Sequence, residues 1–369
     1  MDLVDSAARF AAEAERERRL PDELVAEMAD AGVFRLCVPR AAGGLEEHPA
    51  VLVETVEALA RGDGSAGWCA AIAATSGLLA GYIPEEAARE VYSSPRAIAG
   101  GVFAPIGRAT RVEGGFRVTG RWSFASGCTN CDWLMGGCLV EGEDPPVPRL
   151  MLAHADEVEI HDTWDAMGLR GTGSHDIEMR DVFVPNERSA SLVADRPTAP
   201  GRLYAFPVFG LLALAIGAVG LGIARGALDD VIALAGRRTP TGSRRTMGER
   251  AAVQAEVAAA EARLRAARAF LLTAIDEAWS AVAGEGGEVP IEQRIALRLA
   301  ATHAATAGAE VTGAAYRLGG GSSVYESSSP LPRRFRDANT ATQHMLVAPA
   351  TNELAGRLLL GIPTDTSQV

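Results

Sequence analysis

The sequence changes character twice, and the order of those changes restricts the fold more than any single motif. Residues 1–95 are rich in Ala, Glu and Leu, with apolar positions three or four apart. Residues 96–195 replace this with short alternating runs, more glycine and more aromatic residues. Residues 196–369 return to long stretches of Ala, Leu, Arg and Glu. The reading is an N-terminal helical domain (1–95), a central β-barrel domain (96–195) and a C-terminal four-helix bundle (196–369). With 369 residues, 48% of them hydrophobic, the chain has apolar material for such cores.

Local signals support each region. Pro21-Asp22-Glu23 suits a helix start, and so does Pro84 with Glu85 and Glu86. Ala50 to Ala60 and Ala66 to Ala80 read as helices split by Gly62-Asp63-Gly64. In the middle region, Ala109 to Val112, the Gly114-Gly115 turn and Phe116 to Trp122 form a hairpin pattern. Further strands are expected at Trp133–Val140, Arg149–Ala153, Val158–Asp162 and Ile177–Val184. Beyond it, helices are expected from Met247 to Ala283 and from Pro290 to Leu318, joined by a turn at Gly284–Glu288. Gly319 to Ser323 breaks the chain, and a last helical stretch runs from Leu331 to Leu360.

Several functions are disfavoured. A formal net charge of −12 leaves no general footprint for nucleic acid. The apolar run from Ala205 to Ile223 is broken by glycines and flanked by Arg202 and Arg225, so it reads as a core helix and not a membrane span. The acidic N-terminus lacks a signal peptide's apolar region, and a cytoplasmic protein is expected. Of the five cysteines, Cys128 and Cys131 form a CxxC, read as two incidental thiols. No further ligands stand at zinc spacing, and no metal is expected.

Three segments carry a more specific message. Gly120-Arg121-Trp122-Ser123-Phe124-Ala125-Ser126-Gly127 resembles the flavin-contacting strand of the acyl-CoA dehydrogenase superfamily. Trp164 to Ser174 (WDAMGLRGTGS), followed by Asp181 to Pro185, resembles its second signature. Pro330 to Asp337 resembles its last bundle helix. The resemblance implies a mainly α fold around a central barrel, with flavin between barrel and bundle. It makes Trp122, Ser123, Phe124, Ser126 and Gly127 candidate cofactor contacts, along with Arg170, Thr172, Gly173 and Ser174. Hydroxyls and glycines allow close approach to a ring with polar edges. Arg238, Gly320 and Gly321 are candidates for the phosphate end, with Arg237 and Arg333-Arg334 beside them.

The branch is indicated by Gln343-His344-Met345. Many dehydrogenases of this superfamily carry their carboxylate base near this point, others on another helix, and methionine cannot abstract a proton. The Gln-His pair resembles the two-component flavin-dependent monooxygenases. That resemblance implies reduced FMN or FAD delivered by a separate flavin reductase. It implies dioxygen as co-substrate, a C4a-hydroperoxyflavin, and a small aromatic, polyketide or amino-sugar substrate, as in secondary metabolism. Ser126 is then the expected donor near flavin N5. His344 is the acid or base, since imidazole titrates near neutrality. Trp68, His48 and Gln343 are candidate substrate-pocket residues. Many relatives carry a further histidine on the helix after Gly64 to Trp68, where this chain has Thr75 and Ser76. A homotetramer is expected, with the helix around Leu211 to Leu221 at the interface. No GxGxxG follows a strand, so NAD(P)H is not expected here. Two alternatives stand beside this reading: an FAD enzyme oxidising an acyl thioester, and a catalytically silent flavin-binding relative.

Overall fold

The computed structural model describes residues 3–240, 242–282, 288–326, 329–366 and 369. The expected Gly284–Glu288 turn lies, but for Glu288, outside them. The N-terminal part holds α1 (Leu3–Glu17), α2 (Asp22–Asp30), α3 (Pro49–Gly62), α4 (Gly64–Ser76) and α5 (Glu85–Val91). Two helix starts are set by side chains. The Ala50 amide donates to His48 Nδ1 at 3.1 Å at the head of α3, and the Ala66 amide donates to Asp63 Oδ2 at 3.0 Å at the head of α4. The Gly-Asp-Gly segment is therefore a capped corner: Asp63 takes an extended conformation and ends one helix while starting the next.

Seven strands follow: β1 (Ala99–Val112), β2 (Gly115–Ala125), β3 (Trp133–Val140), β4 (Pro148–His154), β5 (Glu159–His161), β6 (His175–Pro185) and β7 (Ser189–Ala190). They form one sheet in the order β5-β6-β2-β1-β3-β4-β7. Only β1 and β3 pair in parallel. The expected barrel is corrected: β5 and β7 are the edges, they do not pair with each other, and the sheet stays open.

The sheet does curl, and Trp122 is the reason. Its indole is fully buried and donates from Nε1 to the Gly137 carbonyl at 2.8 Å. A Cβ at Gly107, Gly120 or Gly136 would come within 2.2, 2.7 or 2.5 Å of that ring. Three strands thus wrap one side chain at positions only glycine tolerates. Register shifts at Val102/Pro105, Pro105/Gly107, Val118/Gly120 and Trp122/Ala125 supply the bends.

The C-terminal part holds α6 (Val208–Arg237), α7 (Ala251–Ala281), α8 (Ile291–Gly319), α9 (Leu331–Ala341) and α10 (Ala350–Leu359). Helices α6 and α8 run side by side in the same direction: Gly210 faces Leu297, Gly217 faces Ala301, and Gly220 faces Ala305. Small residues let these backbones approach closely. Helix α7 runs against α8, with Arg263 3.2 Å from Glu310 and Arg317 4.0 Å from Glu256. The expected stretch from Leu331 to Leu360 splits in two. Residues 342–349 leave the helix ahead of Pro349, consistent with the bias of a pre-proline residue away from helical geometry.

Helix α6 is long and apolar enough to cross a membrane, yet 78% of its most apolar stretch is buried inside the protein. Leu211 and Leu221 are 1% and 0% exposed within this one chain. The expectation that this face meets another subunit is therefore corrected: α3, α4, α7 and α8 already cover it. Replacing Trp122 by Ala should destabilise the protein by about 3–5 kcal/mol, because the glycine-lined space around it cannot collapse. Urea unfolding checks this, and a change below ~1 kcal/mol would contradict the packing role.

Candidate active site

The site is built where β2 ends. Phe124 has φ 68°, a left-handed conformation unusual for a large side chain, and it is 71% exposed. A large apolar ring held out of the core by a strained backbone marks a functional surface. Trp164 packs edge-on to it at 6.1 Å between ring centroids. Two residues on, Ser126 turns inward and is buried.

Ser126 belongs to a chain of four hydrogen bonds. Trp68 Nε1 donates to Ser126 Oγ at 2.9 Å. Ser126 Oγ and Ser174 Oγ are 2.7 Å apart, and Ser174 Oγ and Thr172 Oγ1 are 2.7 Å apart. Thr172 Oγ1 donates to the Leu169 carbonyl at 2.8 Å. An indole N–H only donates, a carbonyl only accepts, and each hydroxyl carries one proton. All four contacts are satisfied by one arrangement: Trp68 to Ser126 to Ser174 to Thr172 to Leu169. Ser126 therefore spends its own proton inward. It keeps one lone pair, so it is an acceptor, which corrects the expected donor role: its proton is already taken by Ser174.

The network is anchored by the third motif. Leu169, with φ 53°, donates its amide to Asp337 Oδ1 at 2.6 Å. Its carbonyl also accepts from Trp164 Nε1 at 3.1 Å. The Gly127 amide donates to the Thr172 carbonyl at 2.7 Å. The three sequence motifs thus meet through backbone and side-chain hydrogen bonds. Asp337 is 1% exposed. Burial first, then the neighbouring Asp63 carboxylate, pushes its pKa up to about 7. Asp63 is buried and raised as well, with Arg333 at 3.7 Å partly offsetting it.

His344 lies in the 342–349 segment, half-buried, its ring edge-on to Trp68 at 5.6 Å. The Leu346 amide donates to its Nδ1 at 3.3 Å, which puts the proton of the neutral ring on Nε2. Burial, and then the charge of Arg298, pushes its pKa down to about 4. At neutral pH His344 is thus an uncharged N–H donor. This geometry disfavours the expected role as base, since the only free nitrogen holds the proton.

The remaining candidates scatter. Trp122 is in the sheet core with no exposed surface, which corrects its assignment as a cofactor contact. Ser123 is exposed and hydrogen-bonds Asp176. Arg170 Nη1 donates to the Ala166 carbonyl at 2.9 Å and pairs with Asp165 at 3.3 Å, pinning its own loop. Gly173, with φ 50°, ends the turn at Arg170–Thr172. Arg238 donates to the Gly319 carbonyl beside Gly320, so these phosphate candidates do meet, and Gly321 next to them is exposed. Arg333 faces Asp63, and Arg334 is taken up by Asp230 at 2.6 Å and the Arg61 carbonyl at 2.8 Å. His48 caps α3 and packs edge-on to Trp279 at 4.5 Å between ring centroids. Gln343 lines a cleft of about 560 Å³ with Phe335 and Asn339. Cys128 and Cys131 are free thiols. Glu159, His161 and Glu178 gather on β5 and β6, but Arg180 already pairs with both carboxylates at 3.2 and 2.8 Å.

Sequence reasoning missed Asp337 and Arg298. Asp337 stood inside a quoted motif, yet its acceptor role depends on Leu169, far away in sequence. Arg298 had one signal, a single charge inside the apolar run Ile295 to Ala301.

Fold and candidate site together define a chain of acyl-CoA dehydrogenase type whose candidate site carries hydroxyls and a neutral imidazole, with methionine at position 345. Residues 3–91 match the acyl-CoA dehydrogenase N-terminal domain, and residues 214–349 match the C-terminal domain. The indole-3-acetate monooxygenase of Pseudomonas putida is 36% identical over 98% of this chain and 92% of its own length. The oxygenase component of an FADH(2)-dependent resorcinol hydroxylase from Rhizobium sp. (strain MTP-10005) is 32% identical over 98% of this chain and 92% of its own. The crystal structure of XiaF from Streptomyces sp., in complex with FADH2 and glycerol, superposes with a TM-score of 0.87 at 28% identity, covering 97% of this chain and 92% of that one. The chain belongs to the acyl-CoA dehydrogenase family and, within it, to the flavin-dependent monooxygenases.

Two outcomes are expected. Thr172→Val leaves the Ser174 proton without an acceptor and should cost roughly 1–3 kcal/mol in urea unfolding, with Thr172→Ser close to wild type. Full stability in Thr172→Val would contradict the directional chain. The His344 ring should show no protonation by NMR between pH 8 and pH 5. Its folded pKa lies below the unfolded value, so the unfolded chain binds more protons between the two. The stability tied to neutral His344 is therefore present above about pH 6.5 and lost as pH falls toward about 4.

Proposed function

We propose that this chain is the oxygenase component of a two-component system. It takes reduced FMN or FAD from a partner flavin reductase and uses dioxygen to oxygenate a small, aromatic substrate. The observation that carries the reading is the proton direction at Ser126. Reduced flavin bears a hydrogen on N5, oxidised flavin does not, and Ser126 offers an acceptor where a donor would be needed for the oxidised form. When bound, reduced flavin supplies the chemistry by reacting with dioxygen at C4a to give a hydroperoxide whose distal oxygen is transferred.

The residues present fit such a cofactor. Phe124 presents an exposed ring face, with Trp164 beside it to keep water off. Gly127, at φ 70°, gives the left-handed turn after Ser126 that glycine adopts without strain. Thr172 and Ser174 serve the site by holding Ser126, while Ser123, Arg170 and Gly173 remain candidate flavin contacts. Arg238 with Gly320 and Gly321 is the candidate for the phosphate end. His344, as a neutral Nε2–H donor, orients a substrate oxygen, and Trp68 forms the wall between His344 and Ser126. The division at residues 95 and 195 and a homotetrameric assembly belong to the same reading. The relatives named for indole-3-acetate and resorcinol support an aromatic substrate. Against the dehydrogenase alternative stands position 345, where Met345 is 65% exposed and chemically inert as a base.

The deciding experiment loads the protein anaerobically with reduced FMN and mixes it with oxygenated buffer in a stopped-flow spectrometer. The C4a adduct is expected to outlive that of free flavin, and Ser126→Ala should shorten its life by about tenfold or more. Retention of oxidised FAD that an acyl thioester bleaches, with no adduct, would replace this reading by the dehydrogenase one.

A further inference from the structure

Arg298 sits on α8 in the apolar stretch Ile295 to Ala301 and is 5% exposed. A guanidinium taken out of water normally meets a carboxylate, because the loss of hydration is worth several kcal/mol. Among the described residues, no carboxylate forms an ion pair with Arg298. Its one hydrogen bond runs from Nη1 to the Phe209 carbonyl at 3.3 Å, at the start of α6. Its Nε has no partner. Burial lowers its pKa only to about 10, so the group stays charged at neutral pH.

One turn further along α8, Thr302 is 2% exposed, and its Oγ1 also has no partner. The spacing of four places both side chains on one face of the helix. The charge of Arg298 acts on the His344 ring and disfavours its protonated form. His344 carries its own proton on Nε2, and its ring packs on Trp68, whose indole holds Ser126. Arg298 thus leaves a buried N–H without an acceptor, and Thr302 a buried hydroxyl without a partner, one turn apart on the same helix. Such a set is poor design for stability, since an uncompensated buried charge destabilises the fold. It is what an anion needs: one charge-assisted N–H, one O–H and a neutral N–H in a dry setting.

We infer that Arg298 and Thr302 form an anion subsite that takes the carboxylate of the substrate, so that the substrates of this chain are small aromatic carboxylates. This deepens the reading above only in calling the ligand a substrate; anion binding itself needs neither flavin nor oxygen. The Phe209 carbonyl holds the Nη1 side of the guanidinium, which leaves Nε free for one carboxylate oxygen, with Thr302 Oγ1 one turn away for the other. The rest of the molecule must then lie toward His344 and Trp68, on the Ser126 side.

The test uses the full chain without flavin. Acetate is the smallest probe, followed by indole-3-acetate against its neutral counterpart indole-3-acetamide, at constant ionic strength. Binding is read by calorimetry and by melting temperature. Acetate should raise the melting temperature saturably, and indole-3-acetate should bind roughly ten- to hundredfold more tightly than the amide, the worth of a charge-assisted hydrogen bond. Both effects should vanish in Arg298→Met, and Thr302→Val should weaken acetate binding by about three- to tenfold. Without added anion, Arg298→Met should melt at or above the wild-type temperature, because an unpaired buried charge has been removed. Equal binding of acid and amide, no saturable acetate effect, or unchanged binding in Arg298→Met would overturn the inference. So would a steep fall in the melting temperature of Arg298→Met, which would make Arg298 a structural residue. None of these results bears on oxygen reactivity, so the oxygenase reading stands or falls separately.

Discussion

The 2.6 Å hydrogen bond from the Leu169 amide to the buried Asp337 carboxylate joins the sheet to the helix α9 across 168 residues of chain. Everything at the site hangs from Leu169. Its left-handed backbone turns the chain into Arg170–Thr172, its carbonyl ends the hydroxyl chain, and the same carbonyl holds Trp164 against Phe124. On the other side, Asp337 lies against the start of α4, where a Cβ on Gly64 would come within 3.0 Å of its Oδ2. Helix α4 carries Trp68. One carboxylate thus connects both ends of the network that holds Ser126.

The electrostatics of the site follow from its dryness. Burial pushes Asp337 up, His344 down and Arg298 down, each against its charged form. For the histidine the result is a neutral donor; for the arginine a charge survives because no protonation change near neutrality relieves it. Hydroxyls and indole N–H groups, which carry no net charge, do the positioning. A reactive oxygen species shielded from water fits such surroundings better than proton abstraction by a carboxylate does.

The curled sheet and the buried α6 show how tertiary packing overrode two sequence-based expectations. Alternating runs with turns suggested closure, but closure needs edge strands long enough to pair, and β5 and β7 have three and two residues. The curvature has another source, the Trp122 ring and the glycines around it. The apolar face of α6 looked like an interface because hydropathy cannot tell which neighbour covers a helix. Here the covering helices come from the same chain.

What the sequence by itself determined was the order of helical, β and helical regions, most strand positions, the flavin-type motifs and the absence of a carboxylate at position 345. These depend on local periodicity, turn chemistry and residue type, all of which are readable along one dimension. Ser126, Thr172, Ser174 and His344 could be named as candidates for the same reason, since they lie in short motifs. Only the tertiary structure decided the direction of the protons among them, because that depends on which donor and acceptor close the chain at Trp68 and Leu169. Only it could show that Trp122 is core, that His344 holds its proton on Nε2, and that Arg298 has no counter-charge. Each of these depends on what a side chain meets across the fold, and partners distant in sequence leave no local trace.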